Sequence, residues 1–333
     1  MGKVKSAAIL TVVDVGHGNA TIVTSGDQVV MIDVGGRNST LEYCRREGIT
    51  SIDCILISHA DADHIGGLLA LLSNTDIHLR LVRLNPDATK GSELWNDLLW
   101  ELDNARERGE IDFRPSLTVA DDGEFDIEGI RFEIAAPSVH LAGKAAGSRS
   151  QSKQRITTNT LSVVVRVCGK TRAVLVCGDL DDAGLNDIVA HAKDLQAAVL
   201  IFPHHGGGSG SDASVFTDRL LRLVRPELVI FSIGRNQKPS TPRVEIVEAI
   251  RSASVPIRIA CTQLSVQCAP VTPATDAKHL VDSYARGRLA RGCCGGSMRI
   301  SLDQMAISPS ADSHGAFIDE FAPTALCRRP FDN

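Results

Sequence analysis

The strongest limit on this chain is set where a very apolar run, Ile52-Asp-Cys-Ile-Leu-Ile-Ser58, leads directly into His59-Ala-Asp61-Ala-Asp63-His64. Two imidazoles and two carboxylates crowded at a buried strand end would cost stability unless something binds them. Their mixture of nitrogen and oxygen donors suits zinc or manganese and, in pairs, a bridged two-metal site. One loop cannot complete such a site alone. Two other apolar runs end in residues able to bind metal, Ala173-Val-Leu-Val-Cys-Gly-Asp179 and Val199-Leu-Ile-Phe-Pro-His204-His205. Open α/β sheets collect strand-end side chains along one edge, so Asp179, His204 and His205 are expected beside residues 59–64.

The rest of the pattern supports such a scaffold. Runs rich in β-branched residues at 7–15, 20–24 and 29–35, separated by Gly16-His17-Gly18 and Ser25-Gly26-Asp27, predict an opening meander of strands. Further strands are expected at 79–84, 125–135, 160–168 and 228–233, and helices at 40–47, 65–72, 92–108, 183–193 and 242–252. Buried strands alternating with helices indicate an α/β class with both sheet faces covered, and the meander makes a mixed sheet. At 333 residues and 43% hydrophobic, the chain can hold one large domain, taken as 1–268, and an appendage. The appendage, 269–333, is a Cys-containing extension with a Gly/Arg-rich linker at 285–292 and a loosely ordered tail from 308.

The start reads as a first strand rather than a signal peptide, and no run of about 18 apolar residues occurs. A cytoplasmic location without membrane contact is therefore expected, with the nine cysteines as thiols or metal ligands. The net charge of −5, from 35 basic and 40 acidic residues, provides no overall attraction for polyanions. A nucleic-acid substrate would need a local basic patch. One exists at Gly143–Thr158, where Lys144, Arg149, Lys153 and Arg155 occur without an acid and lead to Asn159; the stretch reads equally as a solvated loop. Aromatics at 4% argue against extensive base stacking.

Taken in order, Asp14-Val-Gly-His-Gly-Asn-Ala20, Ile32-Asp33-Val-Gly35, the 58–67 motif, Cys177-Gly-Asp179 and Pro203-His-His-Gly206 resemble the metallo-β-lactamase superfamily. More closely, roughly over residues 7–260, they resemble the cytosolic hydrolase domain of the ComEC/Rec2 competence proteins, here without the membrane channel. The resemblance implies an αββα sandwich of two mixed sheets covered by helices. It also implies a hydrolase in which two divalent cations activate water. Asp61 stands where most of the superfamily has histidine, and Asn159, in Thr158-Asn-Thr-Leu-Ser162, replaces a further histidine. An oxygen-rich position favours manganese or magnesium there beside zinc. His17 replaces a glutamine usual in the competence branch, and Asn236-Gln-Lys-Pro replaces an Asn followed by His-Pro.

Under this reading Asp63 and His64 hold one metal, His59 and Asp61 the other, and Asp179 bridges them. One of His204 and His205 ligates while the other contacts or protonates the leaving group. Asp63, His204 and His205 are the expected catalytic residues. Asp33 and Asp14 either orient ligands or shape turns, and His17 is either a substrate contact or a solvated loop residue. Asn159, Lys153 and Arg155 are candidate substrate contacts. The resemblance implies a nuclease or phosphodiesterase acting on nucleic acid. Hydrolysis of another ester, such as a phosphocholine-type phosphodiester or a lactone, competes with it, as does a metal-stabilised interaction subunit that does no chemistry. Cys261, Cys268, Cys293 and Cys294 form two pairs that a structural zinc would use to anchor the extension, with buried or redox-active thiols as the other reading. The sequence points to no particular protein partner.

Overall fold

Strands with every residue buried, such as Val199–Ile201 and Leu228–Phe231, need apolar cover on both faces. In a computed structural model of the chain, which describes residues 7–149, 153–210, 212–235, 240–273 and 277–328, that cover comes from a second sheet on one side and helices on the other. The first sheet has eight strands in the order Ile307–Ser308, Met298–Ser301, Ile9–Val12, Thr21–Ser25, Gln28–Ile32, Cys54–Leu56, Leu81–Arg83, Asp112–Arg114. The second has six, in the order Arg258–Cys261, Leu228–Phe231, Val199–Ile201, Ala173–Val176, Val164–Cys168, Arg131–Ala136. Both are mixed: the opening meander pairs antiparallel and then joins Cys54–Leu56 in parallel, while Ala173–Val176 through Arg258–Cys261 are all parallel. Leu10, Val30, Phe132, Val176 and Ile230 belong to the core between the sheets.

Helices close the sandwich. Ser39–Glu47 and Glu93–Glu107 pack on the first sheet, and Asp182–Ala190, Ala213–Val224 and Val244–Arg251 on the second. This is the expected αββα order. One expected helix, 65–72, is split into Ala62–Ile65 and Leu68–Leu72. The break falls at Gly66-Gly67, where a Cβ on Gly67 would lie 2.4 Å from the Val34 carbonyl oxygen, so close approach of two backbones dictates glycine. The strand expected at 125–135 is confined to Arg131–Ala136, because Asp122 and Asp126 turn the preceding chain by accepting the Ile134 and Phe132 amides. Among the described residues, no helix is long and apolar enough to cross a membrane.

The boundary expected at 268 is not a boundary in packing. Met298–Ser301 pairs antiparallel with the first strand, Ile9–Val12, and places Met298, Ile300 and Leu302 in the core between the sheets. The presumed linker is fixed as well: Gly287 donates its amide to Asp14, and Ala285 bridges the same residue. The tail from 308 contains a helix, Ala311–Phe321, that is capped by Ser310 and buries His314, Phe317 and Ile318 against the second sheet's outer layer. Polar and small residues disguise a segment that nonetheless buries Met298, Ile300, Leu302, Phe317 and Ile318. Leu302 is fully buried and its backbone and Cβ press on Gly169. Leu302→Ala should therefore lower unfolding free energy by about 3 kcal/mol in urea denaturation. A change of a few tenths would show that the last segment is not part of the core.

Candidate metal centre

Asp33 and the motif residues converge because two neighbouring parallel strands of the first sheet end at the same edge. The strand Gln28–Ile32 delivers Asp33, and Cys54–Leu56, parallel to it, delivers Ser58 and His59. The fully buried Asp33 carboxylate accepts the Ser58 amide at 2.7 Å, the Ser58 hydroxyl at 2.8 Å and His64 Nδ1–H at 2.7 Å. With Nδ1 donating, His64 presents the lone pair of Nε2 to the cavity. Ser58 Oγ lies 2.9 Å and Ser162 Oγ 3.3 Å from His59 Nδ1, which leaves His59 Nε2 pointing the same way.

The second sheet contributes the opposite wall. Asp179 follows Ala173–Val176 and is held by its amide on Ser162 Oγ at 3.0 Å. After Val199–Ile201, His204 and His205 both adopt left-handed backbone, with φ of 54° and 55°, a conformation uncommon for residues with a side chain. This double turn separates their roles. His205 is buried, donates Nδ1–H to the Ser232 carbonyl at 2.8 Å and so directs Nε2 inward. His204 lies at the rim, about a third exposed, with Nδ1 on Asp179 Oδ2 at 2.7 Å and 3.5 Å from Asn159 Nδ2.

Two groups of ligand atoms result, each within 4.8 Å: His59, His64 and Asp179, and His17, Asp63 and His205. They adjoin, with His64 Nε2 only 3.3 Å from His205 Nε2 and with Asp179 Oδ1 3.2 Å from the former and 3.5 Å from the latter. Of the expected pairings, His59 and Asp61 remain neighbours, whereas Asp63 and His64 fall into different groups. The chain enters a helical turn at Ala62, where successive side chains diverge by about 100°. Asp63 is thereby turned to His205, 3.2 Å away, and His64 to Asp179. Asp61 faces His59 Nε2 at 3.7 Å but is paired with Lys90.

These residues fit divalent cations. His59 Nε2 and Asp179 Oδ1 are buried and make no hydrogen bond, and the inward Nε2 atoms of His64 and His205 face each other across a carboxylate. Burial works against charge on Asp179, yet the neighbouring His64, His205 and His59 outweigh it and hold its carboxyl well below the ordinary range. For Asp63, too, burial is outweighed by His205 and His64, and the carboxyl is pushed down. Burial opposes charge on His64, but Asp33 and Asp179 raise it well above the ordinary imidazole value. Burial and then His205 lower His17 to about 4. His17, open between substrate contact and solvated loop in the sequence, joins the centre.

Asp14 lies elsewhere. Fully buried, it accepts the Gly16 and Gly287 amides, Gln263 Nε2 and the Cys293 thiol, and so braces the loop that carries His17. Gly18 lets that loop touch the motif, since a Cβ there would stand 2.3 Å from the Asp63 carbonyl oxygen. Exposed Lys153 and Arg155 belong to a small turn in which Arg149 Nη1 donates to the Lys153 carbonyl; no described contact joins them to the centre. Residues 236–239 lie outside the described residues. Cys293 faces Asp14 instead of completing a four-cysteine group with Cys261, Cys268 and Cys294. Ser58, Ser162, Ser232 and Lys90 were not foreseen. Serines beside strand ends carry no metal signature, and Asp-Ala-Thr-Lys90 reads as an ordinary turn.

Comparison with known proteins agrees with this geometry. The sequence profile described as the Metallo-beta-lactamase superfamily matches residues 13–207. Competence protein ComA of Neisseria gonorrhoeae is 24% identical over 258 residues, covering 75% of this chain and 30% of that protein. ComE operon protein 3 of Bacillus subtilis (strain 168) is 23% identical over 265 residues, covering 73% of this chain and 30% of that protein. The chain therefore spans less than a third of the length of these relatives. Among solved structures, the metallo-beta-lactamase fold protein YhfI from Bacillus subtilis aligns with a TM-score of 0.45 and 11% identity, over 77% of this chain and 96% of that one.

Proposed function

The chain belongs to the metallo-beta-lactamase superfamily and is a metal-dependent hydrolase, and we propose that its substrate is a phosphodiester, in the first place the backbone of a nucleic acid. The observation that carries the substrate class is Lys90 at the edge of the centre. Lys90 sits on Asp61, in a turn whose Asp87 accepts the Thr158 hydroxyl at 2.5 Å. Thr158 ends the basic 143–158 stretch and adjoins Asn159, which lies at His204. One positive charge thus stands beside a cluster of carboxylates, in a chain whose net charge is −5. A phosphodiester suits that combination: a cation on the lip would hold its charge, and a bound metal pair would supply the activated water. The match to two competence proteins supports the same reading.

In this reading His59, His64 and Asp179 would hold one cation and Asp63, His205 and His17 the other, and Asp61, beside His59 and paired with Lys90, would be available as a further oxygen donor. Zinc, manganese and magnesium all suit this donor set. When bound, the pair supplies the Lewis acidity that activates water near neutral pH and offsets charge on the phosphate. The protein's own task is placement and proton traffic. Asp33, Ser58, Ser162 and the Ser232 carbonyl fix the imidazoles in the tautomer that presents Nε2. His204 is held on Asp179, which raises its affinity for a proton, and stands at the open rim where a leaving alkoxide would depart.

The test is hydrolysis of single- and double-stranded DNA, RNA and bis-p-nitrophenyl phosphate with manganese, zinc or magnesium, compared with a lactone and a phosphocholine diester. Lys90→Ala should weaken nucleic-acid binding about equally for all sequences and reduce the log–log salt slope by about 1. Turnover of the lactone alone, or a Lys90→Ala slope equal to the parent's, would remove the phosphodiester reading.

A further inference from the structure

A second cluster of soft ligands lies far from the first in sequence and on the outer side of the second sheet. Cys261, at the end of Arg258–Cys261, lines one small cavity together with Cys268, Cys294 and Cys327, closed by Ile318 and Leu326. Cys261, Cys268 and Cys294 are buried, and Cys327 is half-buried. The four come from three stretches of chain: the strand end with the loop after it, the 287–296 turn, which backbone bonds such as Gly295 N–H to the Cys261 carbonyl already tie to the first, and the segment after the last helix. Cys294 is positioned by its amide on the Thr262 carbonyl and by its own carbonyl 2.6 Å from His279 Nε2.

An independent feature points to a ligand. Arg258 Nη2 stands 3.5 Å from His314 Nδ1, and because guanidinium can only donate, Nδ1 is the acceptor and the proton sits on Nε2. That Nε2–H is aimed at Cys294 Sγ, 3.2 Å away, inside the core. Arg258 Nη2 itself is spent on the Pro309 and Ser310 carbonyls at 3.0 and 3.3 Å, so the group directed at the buried sulfur is the imidazole N–H, which would orient a metal-bound thiolate and offset part of its charge.

We propose that Cys261, Cys268, Cys294 and Cys327 form a closed structural site for a soft divalent cation, zinc foremost, which fastens the C-terminal segment to the hydrolase core. His314 donates to the Cys294 sulfur and ligates nothing. Cys327 takes the place that sequence spacing gives to Cys293. No three of these sulfurs stand within 4.8 Å of one another, whereas zinc–sulfur bonds of about 2.3 Å hold them closer, so the thiol side chains close on the ion as it binds. Four thiol protons leave to solvent and no electrons are transferred. Because the thiolate and not the thiol binds the ion, binding is favoured as pH rises.

The experiment separates this ion from those of the hydrolytic centre. The full-length chain is prepared with Asp63→Ala and Asp179→Ala together, which removes a ligand from each of the two groups of the catalytic centre, and its zinc is counted by elemental analysis. About one zinc per chain is expected to remain, to be lost with Cys294→Ser or Cys327→Ser and retained with Cys293→Ser. Cobalt substitution should give the intense near-ultraviolet thiolate-to-metal band of a tetrahedral sulfur site. In case a serine variant fails to fold, thiol titration of the parent provides a second reading: four of the nine cysteines should resist a thiol reagent until zinc is stripped. No zinc in the Asp63→Ala, Asp179→Ala double variant, no cobalt–thiolate band, or loss of zinc with Cys293→Ser but not with Cys327→Ser overturns the proposal.

Discussion

Asp179→Ala is expected to lower metal-dependent hydrolysis on the order of 10³-fold in kcat/KM, about 4 kcal/mol of transition-state stabilisation, while leaving the chain folded. The expectation follows from position. Oδ1 lies between His64 Nε2 and His205 Nε2, and Oδ2 stands 3.6 Å from His59 Nε2 and 2.7 Å from His204 Nδ1. One carboxylate thus touches all four imidazoles drawn from both sheets, and no neighbouring acid reaches the same point. Its removal leaves imidazoles that can shed their protons, so the fold can survive the loss of the negative charge. Asp63→Ala strips one group of ligands but leaves His59, His64 and Asp179 in place, and should cost less. Circular dichroism, metal content and turnover measured together decide the matter: an Asp179→Ala protein with parental metal content and turnover would show that the centre is wrongly assigned.

The fold was legible wherever burial wrote a period into the sequence. The meander, the helix Glu93–Glu107 and the strands Cys54–Leu56, Ala173–Val176 and Val199–Ile201 follow from apolar runs and turn residues, and the layer order follows from them. The C-terminal segment was not legible, because Met298–Ser301 is only four residues long and the helix after Ser310 carries few apolar residues among Ser, Asp and Gly. Its place is decided by pairing with Ile9–Val12, a contact across nearly the whole chain that no local pattern records. At the centre, the ligand types were legible from one motif and two strand ends, but their grouping was not. That grouping depends on the helical turn beginning at Ala62 and on the left-handed pair His204-His205, both backbone facts. Asp14 and Asp33 illustrate the same limit. Each follows an apolar strand and precedes a Gly-containing turn, yet one braces a loop through Gln263 and Gly287 and the other aims His64.

Asp33→Asn should weaken metal binding about 10- to 100-fold with little change in overall structure. The backbone at Asp33 has φ of 58°, a region asparagine tolerates well, and the side chains are of equal size. What changes is the hydrogen-bond polarity. Asp33 accepts four donors, the amide and hydroxyl of Ser58, His64 Nδ1–H and Asn19 Nδ2–H. An asparagine can accept on one atom only, so its NH₂ must face a donor or drive His64 to put its proton on Nε2, the atom that points to the metal. A pH signature distinguishes this from general loosening. Burial opposes a charge on His64, but Asp33 and Asp179 raise its affinity for a proton well above the ordinary value, so at neutral pH the metal-free site holds that proton and must release it to bind metal. Metal affinity in the parent therefore rises with pH through the neutral range. With the Asp33 charge gone, the His64 proton is bound less tightly, so fewer protons should be released per metal at neutral pH and the slope of affinity against pH should flatten. Calorimetric titration in two buffers of different ionisation enthalpy measures the number directly. Equal proton release in parent and Asp33→Asn would mean that His64 is not the proton-bearing ligand and that the Asp33–His64 pair only supports the fold.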